Sequence, residues 1–427
     1  MLRSRLAPAI VRRTLFVLCI AATISTVGAQ AVPPTGPMAS FDQEMEQFMA
    51  PREIPGGALA VVRNGKLVYA KGYGLADREK RQPVQAESLF RIASISKPVT
   101  AVAVLQLVEQ GKLRLDDRAF DLLKQTAVLS KGEAPDPRLA KITIRQLLQH
   151  SGGWDRDRSF DPMFRPGLIA ETVGSPAPAR PDAVIRYMLG KPLDNDPGTH
   201  YAYSNFGYCV LGRVIEKVSG LGYEEYVRRN VFAPAHITTM KIGATRESGR
   251  LPNEVRYYSP TGRTARSVFP DQVGEVPACY GSFFLEAMDA HGGWVASAVD
   301  LAKFAAALDD PDHSPLLRAE TIRTMYRRPA PPLGLKADGS PADSYYGCGW
   351  MVRPVGQDGK ANYWHGGSLP GTNTLLVRRW DGLSWAVLFN QRAEGGKLKD
   401  GEIDPALHRA AAAVKQWPTE DQFPKYR

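Results

Sequence analysis

The chain has 427 residues, 44% of them apolar, with 54 lysines and arginines against 44 aspartates and glutamates, so it can bury a substantial core and carries a formal charge of +10. That excess contains no lysine or arginine run of the kind that grips a phosphate backbone, and nucleic acid is not an expected partner. The 4 cysteines are too few for a disulfide scaffold, and the 7 histidines show neither His-x-His nor His-Glu-x-x-His spacing, so the histidines give no sign of a metal cofactor.

Met1–Arg13 is basic (Arg3, Arg5, Arg12, Arg13) and free of acids, Leu15–Ile24 is mostly apolar, and Ala29-Gln30-Ala31 is a small-x-small site. This is the pattern of a secretory signal peptide over residues 1–31, which leaves 32–427 as one periplasmic or secreted domain. The apolar run is too short to cross a bilayer, and no later stretch approaches the roughly 18 to 20 apolar residues a membrane helix needs, so no integral membrane segment is expected after processing. Arg12-Arg13 loosely matches a twin-arginine export signal, but ordinary signal peptides also carry such pairs. Cys19 follows Leu18, where a lipoprotein signal has a small residue, so no lipid anchor is expected. Of the cysteines left after processing, Cys209, Cys279 and Cys348, at most one pair can be bridged, and a buried free thiol is the expectation for each.

Phe41, Met45, Phe48 and Met49 repeat at helical spacing and predict a first amphipathic helix. Ala58–Val62 and Leu67–Ala70 flank Asn64-Gly65, a hairpin signature. From Ser94 to Gln110 the apolar positions Val99, Val102, Leu105 and Val108 predict a buried helix stopped by Gly111. Mixed helices and loops follow to about Lys303, including a proline- and glycine-rich stretch from Thr245 to Gly274. Strands are predicted at Gly347–Val352, Leu375–Arg379 and Ser384–Asn390, then a helix near Pro405–Trp417. Strands at both ends with helices between them imply an α/β (α+β) fold. One antiparallel sheet would come from about 40–93 and 304–427, flanked by helices, with a mostly helical region inserted at about 94–303.

Three segments carry chemistry. Ser94-Ile95-Ser96-Lys97 puts a hydroxyl and an amine one helical turn apart, so Lys97 can reach Ser94 and act as its base, although Ser94 reads equally as a helix N-cap. Tyr203-Ser204-Asn205 follows Pro197-Gly198. Tyr203 is either an anchoring aromatic or a phenol whose pKa neighbouring ammonium groups lower, and Tyr201 competes for that role. Asn205 either caps the next helix or binds a substrate carbonyl. His365-Gly366-Gly367 lies on a strand-like stretch, and paired glycines there mark a bulge or the close approach of another group, a substrate included.

In this order the three motifs resemble the serine β-lactamase and penicillin-binding-protein superfamily, most closely its class C-like branch. The likeness runs from about Pro55 to Arg392 and takes in Phe90–Ala93, Leu147–Gly153, Gly292–Ser297 and Trp385–Asn390. It implies a β-lactamase/transpeptidase-like fold with Ser94 as acylated nucleophile, Lys97 as its base and Tyr203 as proton carrier to the leaving group and the hydrolytic water. It also implies that Asn205 orients the substrate, and that His365, Gly366, Gly367 and Ser368 form a binding strand whose Ser368 N–H completes an oxyanion hole with that of Ser94. His150, Ser151 and His291 are assigned to structure. At least half of Tyr257, Tyr258, Phe269, Tyr280, Phe283 and Phe284 are expected in the core and the others around the pocket.

One departure is visible. The third motif commonly opens with a lysine that holds a substrate carboxylate, and here it opens with His365, followed by Gly366 where threonine or serine is common. A partly charged histidine implies weaker, pH-dependent anion binding. The expectation is an exported serine hydrolase acting through an acyl-enzyme on an ester or amide, its partner a small-molecule or peptide substrate. The alternatives are a class C-type β-lactamase, a D,D-peptidase acting on cell-wall peptides, and a non-catalytic cell-wall-peptide binding protein.

Overall fold

The structure, a computed structural model, describes residue 2 and residues 36–130, 132–356, 359–395 and 398–426. The expected leader, with the arginine pair and Cys19, thus falls outside the described residues apart from Leu2.

The sheet assembles from both ends of the chain. Strands β1 (Gly56–Arg63) and β2 (Lys66–Asp77) form the expected hairpin, with Asn64 and Gly65 at φ 50° and 75°, as a turn with two left-handed residues requires. They are joined by β3 (Gln82–Pro83), β4 (Tyr345–Tyr346), β5 (Met351–Val355), β6 (Lys360–Leu369), β7 (Thr372–Arg378) and β8 (Leu383–Phe389), in the antiparallel order β3-β2-β1-β8-β7-β6-β5-β4. The five longest helices among the described residues are α1 (Ala39–Met49), α2 (Ser96–Glu109), α3 (Asn205–Ser219), α4 (Ala298–Ala306) and α5 (Ile403–Ala413).

Alternation along the central strands feeds two cores, because successive side chains leave opposite faces. Leu59 and Val61 of β1, with Trp385 and Val387 of β8, pack against Phe41, Met45 and Phe48 of α1 and Leu407 of α5. Ala58, Ala60 and Val62, with Ala386 and Leu388, face the larger core that holds Val99, Val102 and Leu105 of α2 and Leu301 and Phe304 of α4. Helix α2 is buried continuously from Ser96 to Leu107, as a helix apolar on all sides must be.

Three boundaries differ from expectation. Ala93–Ile95 is a 3-10 turn preceding α2, and α2 ends at Glu109 with Gln110 as its cap. Residues 347–350 form a turn between β4 and β5: a Cβ on Gly347 would stand 2.5 Å from Met325 O, and Gly349 has φ 83°. The C-terminal helix begins at Ile403 and stops at Ala413, where Val414 turns extended. Tyr257, Phe269, Tyr280, Phe283 and Phe284 are all buried, and Tyr258 is half-buried with its hydroxyl on Glu79, so most of this set packs the fold. Cys209, Cys279 and Cys348 are buried free thiols. Among the described residues no helix is long and apolar enough to cross a membrane.

Candidate active site

The turn that presents Ser94 is fastened from two sheets. Phe90–Arg91 pairs with Trp294–Ala296 in a small second sheet, and Ile92 N–H donates to Trp294 O at 3.0 Å. From the main sheet, the Thr372 hydroxyl donates to Arg91 O (2.9 Å) and the Thr374 hydroxyl to Ile92 O (3.0 Å). The buried Arg91 guanidinium holds the carbonyls of Cys279, Ala244 and Thr245 at 2.6 to 2.9 Å and lies 4.2 Å from the Tyr257 ring centroid. These contacts hold Ala93 at φ 48°, a left-handed conformation that costs a non-glycine residue about 1–3 kcal/mol. Ser94 follows directly and is half-buried, with its hydroxyl turned toward Lys97.

Lys97 is fully buried. Its Nζ lies 3.1 Å from Ser94 Oγ, 2.7 Å from Asn205 Oδ1 and 2.9 Å from the carbonyl of His291. Burial drives its pKa well below the ordinary lysine value, partly countered by Asp161. A neutral amine has two N–H donors and one lone pair. With Asn205 Oδ1 and His291 O taking the donors, the lone pair is left for the Ser94 hydroxyl.

Tyr203 neighbours the Ser94 side chain, which favours its ionised form, and its ring centroid lies 4.7 Å from Lys97 Nζ and 4.7 Å from the Arg156 guanidinium. The expectation that nearby cations lower this phenol's pKa is corrected: burial outweighs them and raises it. Tyr201 is 43% exposed, with its ring 6.1 Å from that of His150. His150 packs its ring 4.4 Å from those of Tyr203 and Tyr346 and accepts from Ser204 N–H through Nδ1 at 3.2 Å. Ser151 is buried with its hydroxyl on Gln146 O, and His291 contributes only its carbonyl to Lys97.

The third motif runs along β6, which pairs with β5 only as far as Trp364, so that beyond it the strand is bonded on the β7 side alone. A Cβ on Gly367 would stand 2.2 Å from Ile92 O and 2.3 Å from Thr374 Oγ1, so the group approaching this glycine is the backbone leading into Ser94. At Gly366 the nearest atom to a Cβ is 3.7 Å away, and there the strand is open. Leu369 and Thr372 flank the two-residue turn Pro370-Gly371, where a hydrogen-bonded pair closes the hairpin. Alternation then makes Ser368–Asn373 a non-bonded pair whose Ser368 N–H points to the free edge. Gly367→Ala is expected to cost about 1–3 kcal/mol by overpacking, and Gly366→Ala less than about 0.5 kcal/mol, a contrast read from thermal or urea unfolding.

His365 departs from expectation. It is 4% exposed, Nδ1–H donates to Gly366 O at 2.7 Å, and Nε2 accepts from the Tyr346 hydroxyl at 3.0 Å. Burial, with Lys97 adding to it, pushes its pKa down to about 3. It is therefore a neutral, fully bonded strut and not a partly charged anion binder.

The Beta-lactamase family model matches residues 41–408. This chain belongs to the Beta-lactamase family. It is similar to Penicillin-binding protein 4* of Bacillus subtilis (strain 168), with 25% identity over 361 residues covering 84% of this chain and 72% of that protein. Among solved structures it resembles the D-amino acid amidase from Ochrobactrum anthropi SV3, with a TM-score of 0.67 and 22% identity over 89% of this chain and 99% of that one. It also resembles EstCE1, a hydrolase with promiscuous acyltransferase activity, with a TM-score of 0.67 and 22% identity over 88% and 98%. The fold is that of the β-lactamases and transpeptidases, and the chain is a hydrolase of the serine β-lactamase and penicillin-binding-protein superfamily.

Of the family motif positions, Ser94, Lys97, Tyr203 and Asn205 converge within hydrogen-bonding or ring-contact distance, and Gly367 abuts the turn that carries Ser94. Two further residues at this site carry no sequence signal of their own. Asp161 accepts from Asn205 Nδ2 at 2.6 Å, and Arg156 stands at the Tyr203 ring with its side chain 41% exposed. Asp161-Pro162 reads in sequence as a helix cap, and Arg156 as one charge among several in Asp155–Arg158.

Proposed function

We propose that this chain is a serine hydrolase that forms an acyl-enzyme at Ser94 and hydrolyses an ester or amide of a small molecule or peptide. The observation that carries it is the Lys97 amine, held on two sides by Asn205 Oδ1 and His291 O with Ser94 Oγ at 3.1 Å. Lys97 takes the Ser94 proton as Oγ attacks the carbonyl carbon, and the carbonyl oxygen becomes an oxyanion bonded by the N–H groups of Ser94 and Ser368. The oxyanion collapses, the bond to the leaving group breaks, and the departing oxygen or nitrogen takes a proton delivered through Tyr203. Water then attacks the acyl carbon, giving its proton back along the same route and releasing Ser94.

Substrate preference follows from the neutral His365, which puts no cation at the head of the third motif to hold a carboxylate. Simple esters are favoured over penicillins and cephalosporins, and the same fold is used by the hydrolase EstCE1 and by a D-amino acid amidase. The test is a panel of short-chain nitrophenyl esters, a chromogenic cephalosporin and D-alanyl peptides, assayed from pH 6 to 8. An ester should be the fastest substrate, and the ester-to-cephalosporin ratio should stay flat with pH, because a histidine at about 3 does not titrate in that range. A cephalosporin turned over faster than any ester would overturn this preference. Export of the mature domain belongs to the same proposal, and a mature N-terminus found near residue 32 would support it.

A further inference from the structure

Asn205 is 6% exposed, and its amide is engaged at both ends. Oδ1 accepts from Lys97 Nζ at 2.7 Å and Nδ2 donates to Asp161 Oδ2 at 2.6 Å. A side-chain amide has nearly the same shape either way round, so its partners alone decide which end meets Lys97. His291 O accepts from either form of the amine and places no such demand. A carboxylate accepts and never donates, so it is satisfied only by the NH2 end of Asn205. Asp161 is itself held in place, because its Oδ1 accepts from Met163 N–H at 3.0 Å and caps the turn Pro162–Phe164.

We propose that Asp161 is a positioning residue for the base: it fixes the Asn205 amide so that a carbonyl oxygen, and not an NH2, meets Lys97, which keeps the Lys97 lone pair free for the Ser94 proton. The proposal rests on the reading of Lys97 as the base of Ser94. With the amide reversed, Asn205 would donate into that lone pair and compete with the Ser94 hydroxyl, while one Lys97 N–H lost its acceptor. The three residues form a relay, Asp161 to Asn205 to Lys97, in which only the last touches the nucleophile.

The charge on Asp161 has a second, separable effect. The titratable or charged groups around Lys97 are Asp161, Arg156, His150, His291 and His365, with the rings of Tyr203 and Tyr208 at 4.7 and 5.8 Å from Nζ. Asp161 is the one among them that favours the charged amine. Its removal lowers the Lys97 pKa further, so the acid limb of the pH–rate profile moves to lower pH. Movement of that limb alone reports the charge, whereas a fall in kcat at unchanged KM reports the positioning of the base.

The experiment compares wild type, Asp161→Asn and Asp161→Ala in nitrophenyl ester hydrolysis and in the rate of Ser94 modification by a fluorophosphonate, each from pH 5 to 9, with thermal unfolding alongside. Asp161→Ala, which leaves the amide free to turn, is expected to lose roughly a hundred-fold in kcat with KM little changed, the scale of a misplaced catalytic group. Asp161→Asn retains an acceptor for Asn205 and should lose less, with its acid limb displaced to lower pH. If Asp161→Ala fails to fold, the Asn variant decides alone: wild-type kcat overturns the proposal, whether or not its acid limb moves. A wild-type protein that the fluorophosphonate does not modify at Ser94 would instead overturn the underlying assignment of the nucleophile. Modification of all three proteins at one rate and one pH profile would sink the role of Asp161 and leave that assignment intact.

Discussion

Ser94→Ala is expected to lower kcat for any ester or amide substrate by about a million-fold, the loss seen when the nucleophile of a serine hydrolase is removed. The reason is local. Ser94 is the hydroxyl placed at 3.1 Å from a buried amine, at the end of a turn that Thr372, Thr374 and Arg91 hold in a strained conformation. No neighbour can substitute for it: the Ser96 hydroxyl donates to Ala93 O at 2.7 Å and is fully buried. The variant should fold and unfold like wild type, because truncating a half-buried serine opens no sizeable cavity. Substrate binding without turnover is the expected phenotype, measured as a normal Kd with no product. Residual activity within a few hundred-fold of wild type would point to another nucleophile.

Lys97→Met carries the second-largest expected effect, about 10²- to 10⁴-fold on kcat, the range for loss of a general base. Methionine keeps the length and the apolar stem while removing the proton acceptor. The pH dependence has a definite sign. A base whose pKa burial lowers well below its ordinary value sheds its proton at lower pH than a free lysine, regains it as the pH falls, and so loses activity on the acid side. Lys97→Met should abolish that limb as well as the rate. Tyr203, raised by burial, is a neutral phenol at the same pH and so a proton donor and not a second base. Tyr203→Phe should cost roughly a hundred-fold on kcat, and Tyr201→Phe far less. A Lys97→Met enzyme that keeps both its rate and its acid limb would remove the amine from the mechanism.

Much of this was legible in the chain itself, for identifiable reasons. The Asn64-Gly65 turn, the helix carrying Phe41, Met45 and Phe48, and the Ser94–Lys97 spacing are local features, set by backbone conformation and helical period, which a sequence displays directly. What was hidden depends on burial and on distant partners. His365 shows its type in sequence but not the burial and the nearby Lys97 that keep it neutral, nor the Tyr346 hydroxyl and Gly366 carbonyl that hold its ring. Asp161 and Asn205 are separated by 44 positions and meet only in the folded chain, where the Asp161 carboxylate serves a cap and an amide together. The left-handed Ala93 carries no glycine to announce it, because the strain is held by β7 and the Trp294 strand. Gly367 was visible as a close approach, yet the approaching group is the chain's own Ile92 carbonyl.

The central claim, that Ser94 is the residue acylated, is tested most directly by treating the purified protein with a fluorophosphonate and mapping the adduct by peptide mass. The expected result is one adduct per chain, on the peptide containing Ser94, and none in Ser94→Ala. Ser151, buried with its hydroxyl on Gln146 O, should remain unmodified. An adduct on Ser151, or labelling that persists in Ser94→Ala, would contradict the assignment.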